Sequence, residues 1–328
     1  MRRRAVLAGL GAAVTAWPFT ARAQQRQAPV IGFLGAASAA TLALVHLPAF
    51  RRGLEEAGYV EGRNVVVEFL WAEGFYDRLP ALAAELVRRR VDVIVAAGGT
   101  ITAVAAKAAT TTIPTIILAG DDPVRLGLVA SINRPGANIT GIAQLVVASE
   151  GKRLELLREL APEAKRVAFL TNPNRPNSPE QREAMQEAAG ALGLGLVVLE
   201  AGDDDKLPRT FAAARRDAGA LVVGADPYFF ARYERIVALA DHHSLPAMYF
   251  FREFVLAGGL ASYGSNLAHA YHQVGIYTGK VLKGAHPAEL PVVQQSEKLE
   301  LVINLKTARA LGLTIAPTFL ARADEVIE

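Results

Sequence analysis

The chain has 328 residues, 52% hydrophobic and 20% charged, so it can bury a large core and is expected to divide into two domains. It has no cysteine, which excludes disulfides, thiolate catalysis, iron–sulfur clusters and cysteine-ligated zinc together. The formal charge of +3 comes from the amino terminus: removing Arg2, Arg3, Arg4 and Arg22 leaves 35 − 4 = 31 basic against 32 acidic side chains, a balance that argues against nucleic acid or an anionic membrane as partner.

Those first 23 residues have the layout of an export signal. Arg2 to Arg4 form a basic start, Ala5 to Ala16 are apolar and small, and Ala21-Arg22-Ala23 offers an A-x-A cleavage site. Arg3-Arg4-Ala5-Val6-Leu7 resembles a twin-arginine signal, with the general secretion route also open. The apolar stretch is too short to span a bilayer, and the cleavage site has no cysteine for a lipid anchor. Gly9-Leu10-Gly11 has the start of a dinucleotide fingerprint, but no strand precedes it. The expectation is a mature chain from Gln24, periplasmic in a cell that has a periplasm, with no stable membrane insertion.

From Pro29 onward, apolar runs alternate with amphipathic stretches. Val30 to Leu34 reads as a strand; the helix after it puts Leu47, Phe50, Leu54 and Ala57 on one face and Arg51, Arg52, Glu55 and Glu56 on the other, and Gly58 stops it. Asn64 to Leu70 is a second strand, and a helix with Leu79, Leu82, Ala83 and Leu86 inward leads to VDVIVAAGGT, Val91 to Thr100. That run, rich in Val and Ile without alternation, suits a parallel strand covered on both faces. Gly98 and Gly99 allow a sharp turn, and Thr100 can cap a helix over Ala103 to Ala109; the free N–H groups of such a helix start can hold an anion, while the plain alternative is an ordinary strand-to-helix turn. After Pro114, Thr115 to Ala119 is a fourth strand. Strands and helices alternating in this way specify a parallel, doubly wound sheet.

The same order then returns. Arg166 to Leu170, Leu196 to Leu199, Ala220 to Gly224 and Ala247 to Phe250 read as strands, with helices over Pro179 to Leu192, Leu207 to Arg216 and Ala231 to His242 between them. Equivalent landmarks recur roughly 130 residues apart with little residue identity, which marks a repeated architecture rather than a repeated sequence. The fold class is therefore α/β, two doubly wound parallel-sheet lobes joined by a hinge. Thr140 to Ser149, Ala261 to Asn266 and about Pro291 to Glu297 are the candidate crossings. They give lobe one as 28–143 plus 262–296 and lobe two as 144–261 plus 297–318. Facing lobes bring the loops at their strand carboxyl ends to one cleft.

Several stretches resemble a known family. Asp122-Pro123-Val124-Arg125-Leu126-Gly127-Leu128-Val129, Asn133 to Gly141, Val167 to Pro173, Phe251 to Gly259, Tyr263-Gly264-Ser265-Asn266 and Glu300 to Lys306 together are similar to ABC-transporter substrate-binding proteins of the tryptophan/tyrosine type. The resemblance spans nearly all of the chain after the signal and departs from the family pattern at Ser265, where proline is usual, and around Ser296 to Leu299. It implies a type I periplasmic binding protein with three hinge crossings, a small-molecule ligand between its lobes, and ABC permease subunits as partners; a monomer is expected.

Site chemistry narrows partly by exclusion. His269 and His272 stand three apart on a helix without a matching third ligand, Asp203 to Asp205 suits a solvated helix start, and no P-loop, G-x-S-x-G elbow or strand-placed G-x-G-x-x-G occurs, so no catalytic residue, metal or cofactor is assigned. The remaining tips suit a small zwitterion with an apolar or aromatic body. Ser38 and the backbone at Gly99 and Thr100 are candidates for its carboxylate, and Asp226 for its ammonium group; Asp226-Pro227 is also an ordinary turn starter. Trp71, Phe75, Tyr228 and Phe229 are candidate ring contacts, with Phe230 beside them, although at least one aromatic of that helix start should be core. Asp122, Asn172 and Asn174 complete the set, the two asparagines also fitting a turn around Pro173. The expected function is a non-enzymatic binding protein for an aromatic or branched amino acid, with an exported enzyme or a ligand-sensing domain as the alternatives.

Overall fold

The computed structural model describes residues 28–144, 146–175, 177–294 and 299–328. The export-signal reading over 1–23 and part of the third crossing fall outside them. Strands in chain order are β1 (Val30–Gly35), β2 (Val66–Trp71), β3 (Val93–Ala96), β4 (Thr115–Ala119), β5 (Ile139–Ala143), β6 (Arg166–Thr171), β7 (Gly195–Glu200), β8 (Ala220–Val223), β9 (Ala247–Tyr249), β10 (Ala261–Ser265), β11 (Val293–Gln294), β12 (Leu299–Asn304) and β13 (Glu325–Ile327). They form two sheets, ordered β11-β5-β4-β3-β1-β2 and β13-β12-β10-β9-β8-β6-β7. The unbroken apolar runs do lie inside: every residue of β3, β4, β8 and β9 is buried.

One pair departs from the expected parallel sheets. β10 and β12 are antiparallel, Ala261 opposite Ile303 and Ser265 opposite Leu299. The reason is directional: β10 leaves the second sheet at its cleft end for lobe one, so the strand that returns enters from that end and runs the other way. Sheet membership also puts Ala261–Ser265 and Glu325–Ile327 in the second lobe, so that crossing starts after Ser265 rather than at 262, and the lobe extends past 318.

Lobe one is sealed by two helices, His46–Glu56 and Leu267–Leu282. Leu47, Phe50 and Leu54 are buried as the spacing predicts. Glycines let the helices touch backbone to backbone: a Cβ on Gly53 would sit 2.0 Å from the His272 carbonyl oxygen, and one on Gly275 2.2 Å from that of Phe50. A leucine at either position would force the pair apart. One apolar cluster runs from this face of the first sheet through the cleft to the second, joining Phe33 and Phe50 to Phe229, Phe250 and Phe254.

The crossings share an internal fastening. Arg153, wholly buried, donates from Nη2 to the Val146 carbonyl (3.1 Å) and from Nη1 to that of Tyr263 (3.2 Å), one in the first crossing and one in β10 just before the second. Burial lowers its pKa to about 10, against the pull of Glu150, so it is charged at neutral pH. Gln144 Nε2 donates to Ser265 Oγ at 2.9 Å, a second tie between the same segments.

Candidate functional site

A cavity lies between the lobes, at the carboxyl ends of both sheets. Lobe one contributes a backbone turn as well as side chains. After β3 the chain turns at Gly98 and Gly99; Gly99 has φ 80°, and a Cβ there would also lie 2.9 Å from Pro227 Cγ of the other lobe. Gly99, and not the expected Thr100, is the N-cap of the helix Thr100–Ala109, with no side-chain cap among the described residues. Thr102 fastens the turn by accepting from the Gly98 N–H (3.1 Å) and donating to the Gly99 carbonyl (2.7 Å). Gly98 to Ile101 line the cavity, so an uncapped helix start faces it.

Lobe two contributes side chains, and Asp226 is central. It is buried and caps the short helix Pro227–Phe230. Its Oδ1 accepts from the Tyr228 N–H (2.9 Å), from Asn172 Nδ2 (3.0 Å) and, across the cleft, from the Tyr76 hydroxyl (2.7 Å). Its Oδ2 is buried without a hydrogen-bond partner among the described residues. Burial pushes the Asp226 carboxyl up, opposed by Arg175 and by the donors from Asn172, Tyr76 and Tyr228. Burial and the neighbouring Asp226 hold the Tyr76 phenol well above its usual value, so it stays a donor.

A second carboxylate crosses the cleft fully paired. Asp121, in lobe one, accepts from the Thr100 hydroxyl, from Arg175 Nη2 at 2.6 Å and from Asn177 Nδ2 at 2.7 Å, the last two from lobe two. Burial works against the Arg175 charge, but Asp121, Asp226 and Glu150 outweigh it and raise its pKa. The cavity's apolar end is built from Phe230, Phe250 and Phe251 of lobe two with Leu42 and Tyr271 of lobe one. The Tyr271 hydroxyl donates to the Ala97 carbonyl at 2.9 Å, leaving its ring to the cavity. Behind that wall His46 Nε2 lies 2.9 Å from Glu253 Oε1, joining the lobes once more, and its ring contacts those of Phe230 and Tyr271.

Of the residues expected at the site, Gly99, Thr100 and Asp226 line this cavity. Ser38 does not: its Oγ caps the helix Ala39–Ala43, accepting from the Thr41 N–H at 3.1 Å, beside a separate polar depression. Trp71 covers Gly35 and stacks on Phe69, and Phe75 is 54% exposed because the turn at Gly74 carries it outward and Tyr76 inward. Asp122 makes a local turn, accepting from the N–H groups of Val124 and Arg125. Asn172 stands behind Asp226, and exposed Asn174 donates to the Gly202 carbonyl. Tyr228 offers Asp226 its N–H while its ring lies under Arg232, 3.9 Å from the guanidinium carbon; Phe229 is core, and Phe230 faces the cavity instead. Tyr76, Arg175, Asn177, Phe250, Phe251 and Tyr271 are lining residues absent from the expected set.

Two α/β lobes, three crossings and a largely apolar pocket lined by an aspartate with one unpaired carboxylate oxygen among the described residues define a solute-binding protein of the type I periplasmic fold. The family described as ABC transporter substrate binding protein matches residues 44–327, and the chain belongs to it. A tyrosine-binding protein of Clostridioides difficile is 28% identical over 264 residues, 80% of this chain and 75% of that one. A Streptococcus pneumonia domain in complex with L-Trp has TM-score 0.81 and 27% identity, covering 91% of this chain and 99% of that one. A ligand-free, open substrate binding protein with adhesive properties from Clostridium difficile has the same coverages and 25% identity but TM-score 0.63. At near-equal identity, the chain superimposes better on the tryptophan complex than on the ligand-free, open structure.

Proposed function

We propose that the protein captures an aromatic amino acid between its lobes outside the cytoplasmic membrane and passes it to the permease of an ABC importer. The observation that carries this is Asp226 Oδ2, a desolvated carboxylate oxygen without a partner among the described residues, in the same cavity as the uncapped start of the helix Thr100–Ala109. A ligand ammonium group completes the first, and a ligand carboxylate suits the amides of the second. The rings of Phe230, Phe250, Phe251 and Tyr271 then receive an aromatic side chain by burial and edge or face contact. The tyrosine and tryptophan named for the two relatives support the same ligand class. Export is supported by the basic start and A-x-A site of residues 1–23, and among the described residues no helix is long and apolar enough to cross a membrane.

Mass spectrometry of ligand released on denaturation, followed by calorimetric titration with candidate amino acids, tests the assignment. The expected result is an aromatic amino acid that binds with its ammonium group free and loses affinity when that nitrogen is acetylated. Equal affinity for the acetylated compound removes the zwitterion reading.

A further inference from the structure

We propose that Tyr76 is the positioning residue that makes ammonium recognition conditional on closure: its hydroxyl, carried on lobe one, holds the Asp226 carboxylate of lobe two in its receiving orientation only when the cleft is shut. This rests on reading Asp226 as the ammonium site. Of the three donors on Oδ1, the Tyr228 N–H and Asn172 belong to the same lobe as Asp226 and stay with it, whereas Tyr76 is the shortest contact and comes from the other lobe. Tyr76 opens a 3-10 turn tied to the first sheet, since the Ala72 N–H donates to the Gly35 carbonyl (2.9 Å) and the Gly74 N–H to that of Ala36 (2.7 Å). It therefore travels with lobe one. Its oxygen also accepts from the Tyr228 N–H at 3.0 Å, which fixes the phenol over the cap of the helix Pro227–Phe230.

With Oδ1 carrying three donors, Oδ2 is the side left for a ligand cation. Opening withdraws one donor and admits water, so the carboxylate is free to turn and its charge is screened. Closing restores the donor and removes the water at one stroke, and the ligand ammonium then supplies the partner that Oδ2 otherwise lacks. The charged or titratable neighbours of Asp226 are Arg175, Tyr76 and, through the Ala225 N–H, Glu150; burial raises the Asp226 carboxyl, and the Tyr76 hydrogen bond is among the contacts that bring it down. Losing that bond moves protonation of Asp226 to higher pH, a change that simple loss of packing does not produce.

Tyr76→Phe keeps the ring and removes the hydroxyl. Titration with L-tryptophan at neutral pH should show affinity weaker by roughly ten- to a hundredfold, mostly as faster dissociation, because the lost bond is to a charged group. The acid limb of affinity against pH should also shift to higher pH than in the wild type. Unchanged affinity, or weaker affinity with a superimposable pH profile, overturns the proposal. Asp226→Asn separates the two claims: if that variant binds tryptophan as the wild type does, the ammonium site itself is wrong, whereas a damaged Asp226→Asn beside an intact Tyr76→Phe removes only Tyr76. Should Tyr76→Phe fail to fold, amide exchange in the wild type decides: the Tyr228 N–H should slow on adding tryptophan, and no slowing at saturation counts against closure on this contact.

Discussion

Asp121 and Asp226 hold opposite faces of one cleft, both buried, and they differ in how their oxygens are used. Asp121 has both oxygens engaged, by Thr100, Arg175 and Asn177, so it joins the lobes and has nothing left for a ligand. Asp226 gathers its three donors on a single oxygen and leaves the other buried and bare among the described residues. A desolvated carboxylate with an idle oxygen costs stability until something cationic arrives, whereas a saturated one is part of the frame. On the proposed reading, the less satisfied of the two acids in the cleft is the one that receives the ligand.

The largest effect should come from Asp226→Asn. Asparagine keeps the shape and a capping oxygen but leaves a ligand ammonium with a neutral partner, at a cost on the order of 2–5 kcal/mol, or a factor of roughly 30 to several thousand in affinity. The empty protein should melt at the same temperature or higher, because a buried charge has been removed. The pH dependence follows with the same sign: a carboxyl raised by burial stabilises the empty fold below that raised value and withdraws the contribution as pH rises through it, while ligand affinity runs the other way. Calorimetry and melts across acidic to neutral pH check both limbs.

Arg175→Met should act first on Asp121, its hydrogen-bonded partner, and also remove a charge that favours the Asp226 carboxylate. Breaking a buried pair typically costs about 3–5 kcal/mol, but here the lobes can part and hydrate the orphaned carboxylate. The expected result is a larger radius of gyration without ligand and affinity lower by about ten- to a hundredfold, read by small-angle scattering and titration. A variant with an unchanged radius of gyration would show that Asp121 needs no cation to hold the lobes together, and unchanged affinity that Asp226 does not depend on the Arg175 charge. The smallest effect belongs to Ser38→Ala, which removes a cap worth about 1 kcal/mol and should leave tryptophan affinity as it is. Loss of binding there would return Ser38 to the site.

The architecture is legible because buried parallel strands need continuous apolar runs, and those of β3, β4, β8 and β9 stand out against amphipathic helices. The reversed β12 is not, since its direction follows from where the chain re-enters the sheet. At the site, backbone tips could be read and side-chain facing could not. Gly98 and Gly99 mark their turn by residue type, whereas choosing Tyr76 over Phe75, or Phe230 over Phe229, turns on one residue's rotation in a turn of three or four residues. The tip around Pro173 stops at Asn174 when read by turn chemistry, one residue short of Arg175, whose partner Asp121 is 54 positions away.

Arg153 has a mechanical consequence. A single guanidinium holds one carbonyl from the first crossing and one from β10, the strand that leads into the second, so those segments cannot slide past each other without breaking one bond. Such a joint should resist shear between them more than a pair of unlinked segments would. Arg153→Met should therefore loosen the register between these two segments, read as faster amide exchange at the residues that flank Val146 and Tyr263.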